Sequence, residues 1–308
     1  MSKNLATLLG FSAILLWSSL VGLLKKLSSL LGADYAVTLM YSLSAVILLL
    51  IFRIPNLRVI PKKYLICASL LFLVYELCFS YAIALAQTPQ QAIEISLVNY
   101  LWPSLTVVML IIFKELKFSL FVVLGLMVSM SGIILIQTGN NQFSLSLLIS
   151  HFMSNPLSYI LAFIGATLWA IYCVITRKYS QGHNPISLYF IMITVVLWTK
   201  LLMAHPFETL PSLDLTVLPY LFAVGFATAL GYAAWNIGII KGNITFLVTL
   251  SYFSPIFSTL FSMLILQTAL SIEFWHGVCL VTLGSLICWI STSWEHIKPR
   301  IQRFKMQF

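Results

Sequence analysis

A duplication governs what this chain can fold into. Sliding residues 5–132 forward by 152 positions, with no gap, sets Trp17 on Trp169, Lys26 on Lys178, Tyr100 on Tyr252, Pro103 on Pro255, Gly125 on Gly277 and Gly132 on Gly284. Matched Pro and Gly preserve kinks and close contacts, and matched Trp and Tyr preserve large side chains, so the register carries architecture as well as hydrophobicity. A helical membrane chain made of two matching halves is read most simply as a transporter that holds its substrate between them.

The membrane follows from composition: 60% of the residues are hydrophobic and 8% charged, and the mean hydropathy is +1.01. Apolar runs recur at roughly 5–24, 35–52, 64–86, 92–113, 118–137, 157–176, 186–204, 217–240, 244–266 and 272–292. Each has about 20 residues, enough to cross the hydrocarbon as a helix. Barrel strands would be about ten residues long and alternate in polarity. The expected fold is therefore an all-α polytopic membrane protein of ten transmembrane helices. Five per half is an odd number, so the second half enters the membrane from the opposite side, and the halves are expected to be inverted five-helix repeats around a central cavity. Residues 1–140 form the first repeat, 141–156 the connection, 157–293 the second repeat and 294–308 a basic tail. The first run is kept as helix one rather than a cleaved signal peptide, because no small-residue cleavage pattern follows it. The connection carries an apolar cluster, 145–153, suited to the membrane surface.

Orientation follows from the basic residues. With the N-terminus in the cytoplasm, all of the 17 Lys and Arg except Lys25, Lys26 and Lys200 fall on the cytoplasmic side, which the positive-inside rule favours. Both termini are then cytoplasmic and the protein is multi-pass. The net charge of +9 is topological and calls for no nucleic acid.

Cys67, Cys78, Cys173, Cys279 and Cys288 lie within predicted helices without CxxC spacing and read as packing residues. His151, His183, His205, His276 and His296 are scattered without the spacing of a metal site. Neither metal nor cofactor is expected. The chain has no HExxH motif or assignable nucleophile–base pair, so it is not read as an enzyme.

The polar and aromatic groups placed inside spans carry the functional reading. Residues Gln91 to Pro103 concentrate them: Glu94, Asn99, Tyr100 and Trp102 precede Pro103, which frees the Asn99 carbonyl and loosens the helix there. The equivalent Ser251-Tyr252-Phe253-Ser254-Pro255 keeps the Pro and Tyr but replaces Asn99 and Trp102 by Ser. The site should then be symmetric in mechanics, with Pro103 and Pro255 as hinges, and asymmetric in chemistry. In the eighth span Tyr232, Trp235 and Asn236 share one helix face. A packing seam with interfacial aromatics is the competing reading, though Trp17 and Trp169 recur well inside their spans. Glu76, near the middle of the third span, is costly unless paired, hydrated or protonated. It suits a substrate ammonium, a proton, or a helix-to-helix hydrogen bond. Glu94 reads as a solvated acid at a helix start, and Lys25 and Lys26 as snorkelling or vestibule residues.

In this order, Leu16-Trp17-Ser18, Tyr75-Glu76, Gln91 to Pro103, Pro156-Leu157-Ser158-Tyr159, Ala162 to Ala166, Trp169-Ala170, Tyr232 to Asn236, Gly242 to Thr245, Ser251-Tyr252-Phe253 and Pro255 resemble the drug/metabolite transporter superfamily, EamA type. The resemblance implies ten helices in a basket around a large cavity, and export of aromatic amino acids across the bacterial inner membrane, with a monomer sufficient for transport. It carries Trp17, Tyr100, Trp102 and Trp169 onto cavity positions, with Trp235 and Tyr252 as companions. Phe79 and Ile83 stand where relatives are expected to place larger or more polar groups.

An aromatic amino acid can stack on Trp or Tyr, set its ammonium on an aromatic face or Glu76, and engage Asn99, Asn236 or unwound backbone with its carboxylate. Proton-coupled export of organic cations or drugs through Glu76 is the alternative. A phosphorylated-metabolite antiporter would need basic residues deep in the spans, whereas the Lys and Arg here sit at helix ends, with Lys200 the nearest approach to an exception.

Overall fold

The computed structural model describes residues 1–52, 54–114, 118–138, 150, 152–181, 183–204, 211–242, 247, 250–251, 253–267 and 269–305. Among these residues there are eleven helices and no strand: α1 (Lys3–Leu31), α2 (Ala33–Phe52), α3 (Lys62–Ala84), α4 (Pro89–Asn99), α5 (Trp102–Ile112), α6 (Leu120–Thr138), α7 (Pro156–Tyr179), α8 (Ile186–Ala204), α9 (Leu218–Lys241), α10 (Ser254–Leu266) and α11 (Ile272–Lys305). Six of them, α1, α2, α3, α7, α8 and α9, are long and apolar enough to cross a membrane by length and composition.

Local chemistry sets the helix ends. Ser2 caps α1 by accepting from the Leu5 N–H at 3.3 Å, and Thr88 caps α4 by accepting from Gln91 at 3.0 Å, with Pro89 in the first turn. Asn155 and Pro156 do the same for α7. Between α1 and α2 the chain reverses at the single residue Gly32, whose φ of 81° suits a residue without a Cβ.

The fourth span is more than kinked. The sequence predicts one helix over 92–113 loosened at Asn99, but α4 ends there and α5 begins at Trp102. The Tyr100 N–H donates to Ser96 and the Leu101 N–H to Val98, closing α4 before the proline is reached. The ninth run, 244–266, repeats the device: the Phe253 N–H donates to Leu250 and α10 starts at Ser254. These two breaks lie at positions 152 apart. Most of the 145–153 cluster lies outside the described residues; Phe152 and Met153 are helical.

Polarity is arranged inside out relative to a water-soluble bundle. Leu50 is 80% exposed and Ile66 71%, while Glu76, Glu94, Gln91 and Asn99 are buried. An apolar periphery around a polar interior is what a lipid solvent rewards.

Helix packing pairs the halves. α1 runs along α9, α3 along α7, α2 along α8 and α6 along α11. On α6 and α11 the backbones touch at two points: a Cβ on Gly132 would lie 2.6 Å from the Gly277 carbonyl oxygen, and one on Gly284 2.3 Å from that of Gly125. Rising numbers on one helix meet falling numbers on the other, so this contact is antiparallel. Each residue of one pair is the 152-shifted mate of a residue in the other. Between them the Ser129 hydroxyl donates to the carbonyl of Val281, its own mate, at 3.3 Å.

Candidate functional site

A cavity of about 110 Å³ opens among α1, α2, α3, α7, α9 and the broken segments. Of the sequence-predicted residues it brings together Trp17, Glu76, Phe79, Asn99, Tyr100, Trp102, Trp169 and Trp235. The side chain of Asn236 and all of Tyr252 lie outside the described residues. Pro255 is buried at the start of α10, and Pro103 stands in the first turn of α5.

The wall has a repeat of its own. Trp17 faces the cavity with its mate Trp169, Glu76 with Thr228, and Asn99 with Ser251. Trp102 with Ser254, Ser80 with Tyr232 and Ile83 with Trp235 extend the same 152-residue relation. Position is shared at every pair and chemistry only at Trp17 and Trp169; the proline segments differ in chemistry as the sequence suggested.

The two repeated tryptophans converge on one ring. Trp17 lies 5.0 Å from Tyr232 between ring centroids and 5.2 Å from Trp235. Trp169 lies 6.4 Å from Tyr232, 4.7 Å from Tyr75 and 6.2 Å from Trp102, the last edge-on at 90°. Trp17 fits because residue 231 is glycine: a Cβ there would sit 2.7 Å from the indole nitrogen. A flat, π-rich ligand finds faces and edges on several sides, each good aromatic pair contributing about 0.5–1.5 kcal/mol beyond area burial.

Glu76 is the wall's only carboxylate, and no Lys or Arg lines the cavity among the described residues. The side chain is 3% exposed. Its Oε2 accepts from the Tyr41 hydroxyl at 2.5 Å, and its Oε1 from the Tyr232 hydroxyl. Tyr41 is in turn 2.9 Å from the Ser80 hydroxyl. A carboxylate of α3 is thus clasped by phenols from α2 and α9. Two further wall atoms are buried without a hydrogen-bond partner among the described residues: the Asn99 side-chain oxygen, an acceptor, and the Trp17 Nε1–H, a donor.

One sequence reading changes and two gain detail. Glu94 is buried rather than solvated, accepting from the Tyr159 hydroxyl at 3.0 Å, because α7 packs over the start of α4. Cys173, read as packing, lines the cavity. Lys25 and Lys26 take protein partners, the Ala86 carbonyl and the Tyr220 ring at 5.9 Å respectively. Tyr41 was missed, although its depth gives a signal: it stands about as far from the start of α2 as Glu76 does from the end of α3, so antiparallel helices set them level.

The end of the bundle beyond Glu76 is tied by polar side chains. Asp34 accepts from Lys200 and, at 2.7 Å, from the Tyr81 hydroxyl. Gln91 accepts from the Asn155 side chain at 3.0 Å and donates to Ser154 at 3.1 Å, fastening the start of α7 to the α3–α4 turn.

Comparison with known proteins gives consistent matches. Residues 156–290 match the EamA-like transporter family. The chain is 40% identical over 295 residues to the aromatic amino acid exporter YddG of Salmonella typhimurium, covering 95% of this chain and 99% of that one. It is 39% identical over 292 residues to the protein of the same name from Escherichia coli K12, again covering 95% and 99%. One solved structure superimposes with a TM-score of 0.65 at 21% identity, covering 94% of this chain and 98% of its own, a likeness of fold.

Proposed function

The chain belongs to the EamA-like transporter family, and from that premise we propose that it exports aromatic amino acids across the bacterial inner membrane by alternating access. The observation that carries this is the cavity wall: Trp17, Trp169 and Trp102 surround a space reached from both halves, in a chain whose close relatives are named aromatic amino acid exporters.

In this reading ten spans form two inverted five-helix repeats, residues 1–140 and 157–293, joined by 141–156 and followed by the tail 294–308. The antiparallel glycine contact between α6 and α11 supports an in-plane two-fold relation, as do the 152-shifted pairs on the wall. Inverted repeats can exchange conformations, so a cavity closed on one side by one half is closed on the other by its mate. The break before Pro103 lets α4 and α5 turn as separate rods, and the start of α10 at Ser254 supports the same freedom at the equivalent position. The distribution of basic residues supports both termini in the cytoplasm, and a lining drawn from one copy of the chain among the described residues supports transport by a monomer.

Binding need only be modest, because an exporter must release its cargo. Aromatic stacking supplies non-polar recognition, and the Glu76 cluster supplies polarity. The second reading, organic cation or drug export coupled to protons, is favoured by one fact: Glu76 has no basic partner on the wall among the described residues.

Proteoliposomes holding the full chain, given radiolabelled phenylalanine, threonine and a cationic dye with and without a pH gradient, separate these readings. Saturable phenylalanine flux is expected, lowered in Trp17→Ala, Trp102→Ala and Trp169→Ala at matched insertion. Dye flux without phenylalanine flux would overturn the amino acid reading.

A further inference from the structure

We propose that an amino acid zwitterion loads this cavity by exchanging into the Tyr232–Glu76 hydrogen bond: the ammonium takes the Glu76 carboxylate, and the substrate carboxylate takes the Tyr232 hydroxyl so released. This rests on the amino acid reading above and assigns how the charged end of the substrate is recognised.

An amino acid brings one positive and one negative group, yet the described wall offers a carboxylate and no Lys or Arg. The substrate carboxylate must therefore be met by neutral donors. Two stand side by side: the Tyr232 hydroxyl and the Trp17 Nε1–H, whose rings are 5.0 Å apart. The indole N–H is buried without a partner among the described residues, whereas the Tyr232 hydroxyl is spent on Glu76. Once an ammonium engages Glu76, that phenol is free to turn to a new acceptor.

Donors and acceptors balance in the exchange. The bond from Tyr232 O–H to Glu76 Oε1 breaks; N⁺–H to Glu76 and Tyr232 O–H to the substrate carboxylate form in its place. The substrate's remaining ammonium protons find the Asn99 side-chain oxygen, the wall's buried acceptor without a partner. Tyr41 keeps its bond to Oε2 and holds the carboxylate in position throughout. Both new bonds are charge-assisted, as is the Tyr232–Glu76 bond they replace, so the exchange gains one charge-assisted bond.

Selectivity follows from what each analogue leaves unmade. An amine without a carboxylate strands the Tyr232 and Trp17 donors, and an acid without an ammonium sets its charge beside Glu76 and leaves Asn99 unanswered. A site built to hydrogen-bond a group rejects the analogue lacking it. The exchange also has a mechanical consequence. Glu76 belongs to α3 in the first half and Tyr232 to α9 in the second, so loading replaces a direct bond between the halves by one routed through cargo. The 152-shifted equivalent pair is Thr228 and Ser80, both on the wall and both too short to repeat the bridge; the device exists once per molecule.

The test uses the full chain in proteoliposomes taking up radiolabelled L-phenylalanine, with unlabelled L-phenylalanine, phenethylamine and 3-phenylpropionate as competitors. The wild type should prefer phenylalanine to either analogue by about tenfold or more. Tyr232→Phe should narrow the gap to phenethylamine, and Glu76→Gln the gap to 3-phenylpropionate. Either analogue competing as well as phenylalanine in the wild type overturns the exchange, and this needs no variant to fold. Unchanged ratios in both variants overturn it as well. Absence of any phenylalanine uptake by the wild type defeats the amino acid reading and the exchange with it; uptake with flat ratios defeats the exchange alone.

Discussion

Of the three carboxylates of the first half that bond residues of the second, Asp34, Glu76 and Glu94, the first two meet opposite circumstances. Asp34, at the rim, has a cation, Lys200, and their side chains are 30% and 49% exposed. Lys200 also lies 4.6 Å from the centre of the Tyr81 ring. Glu76, in the chamber, has phenols in place of a cation and aromatic walls in place of water. At the rim, solvent and salt screen the pair, so its net contribution is small. In the chamber nothing screens, and every polar group left unmatched matters more. The rim satisfies its charge with a neighbour, whereas the chamber keeps its carboxyl group where cargo can reach it.

Substitutions test that contrast at both ends. Glu76→Gln should lower the initial rate of phenylalanine uptake about tenfold or more, equivalent to at least about 1.4 kcal/mol; wild-type rates at equal reconstitution would dissolve the contrast. Gly231→Ala should come next, lowering uptake several-fold while Asp34 is untouched. Its new Cβ falls 2.7 Å from Trp17 Nε1 and must displace the indole from Tyr232. Competition by phenethylamine, read alongside uptake, checks that the donor pair has been disturbed.

Gly284→Ala works away from both carboxylates. A Cβ there lies 2.3 Å from the Gly125 carbonyl oxygen and 2.5 Å from the Ser129 nitrogen, an overpacking of about 1–3 kcal/mol. The melting temperature followed by size-exclusion should fall, while the preference among phenylalanine and its analogues stays as in the wild type. Lys200→Met should do least, changing uptake by less than about twofold and stability by roughly 0–1 kcal/mol. A loss as large as that of Glu76→Gln would show that the rim bears as much on transport as the chamber does.

What could be read from sequence divides along the same physical line. Trp17 and Trp169 were legible because duplication marks a residue twice, and Glu76 because a lone acid in an apolar span demands a reason. Tyr41 was hidden: its mate is Ile193, and a single Tyr in a membrane helix is as common at interfaces as at sites. Only the antiparallel register of α2 and α3 sets its hydroxyl on Glu76. The break at Asn99 was anticipated from Pro103 but underestimated, because the hydrogen bonds of Tyr100 and Leu101 that end α4 belong to residues before the proline. Glu94 misled for a different reason. A helix start suggests solvent, and the burial comes from α7, a helix of the other half that local sequence cannot foresee.

The most direct measurement is photolabelling of the purified full chain with 4-azidophenylalanine, followed by mapping of the adducts. Adducts on peptides of both halves, those carrying Trp17 or Trp102 and those carrying Trp169 or Tyr232, suppressed by excess phenylalanine, are what a shared aromatic chamber predicts. Adducts confined to one half, or to outward-facing residues such as Leu50 and Ile66 and indifferent to phenylalanine, would contradict it.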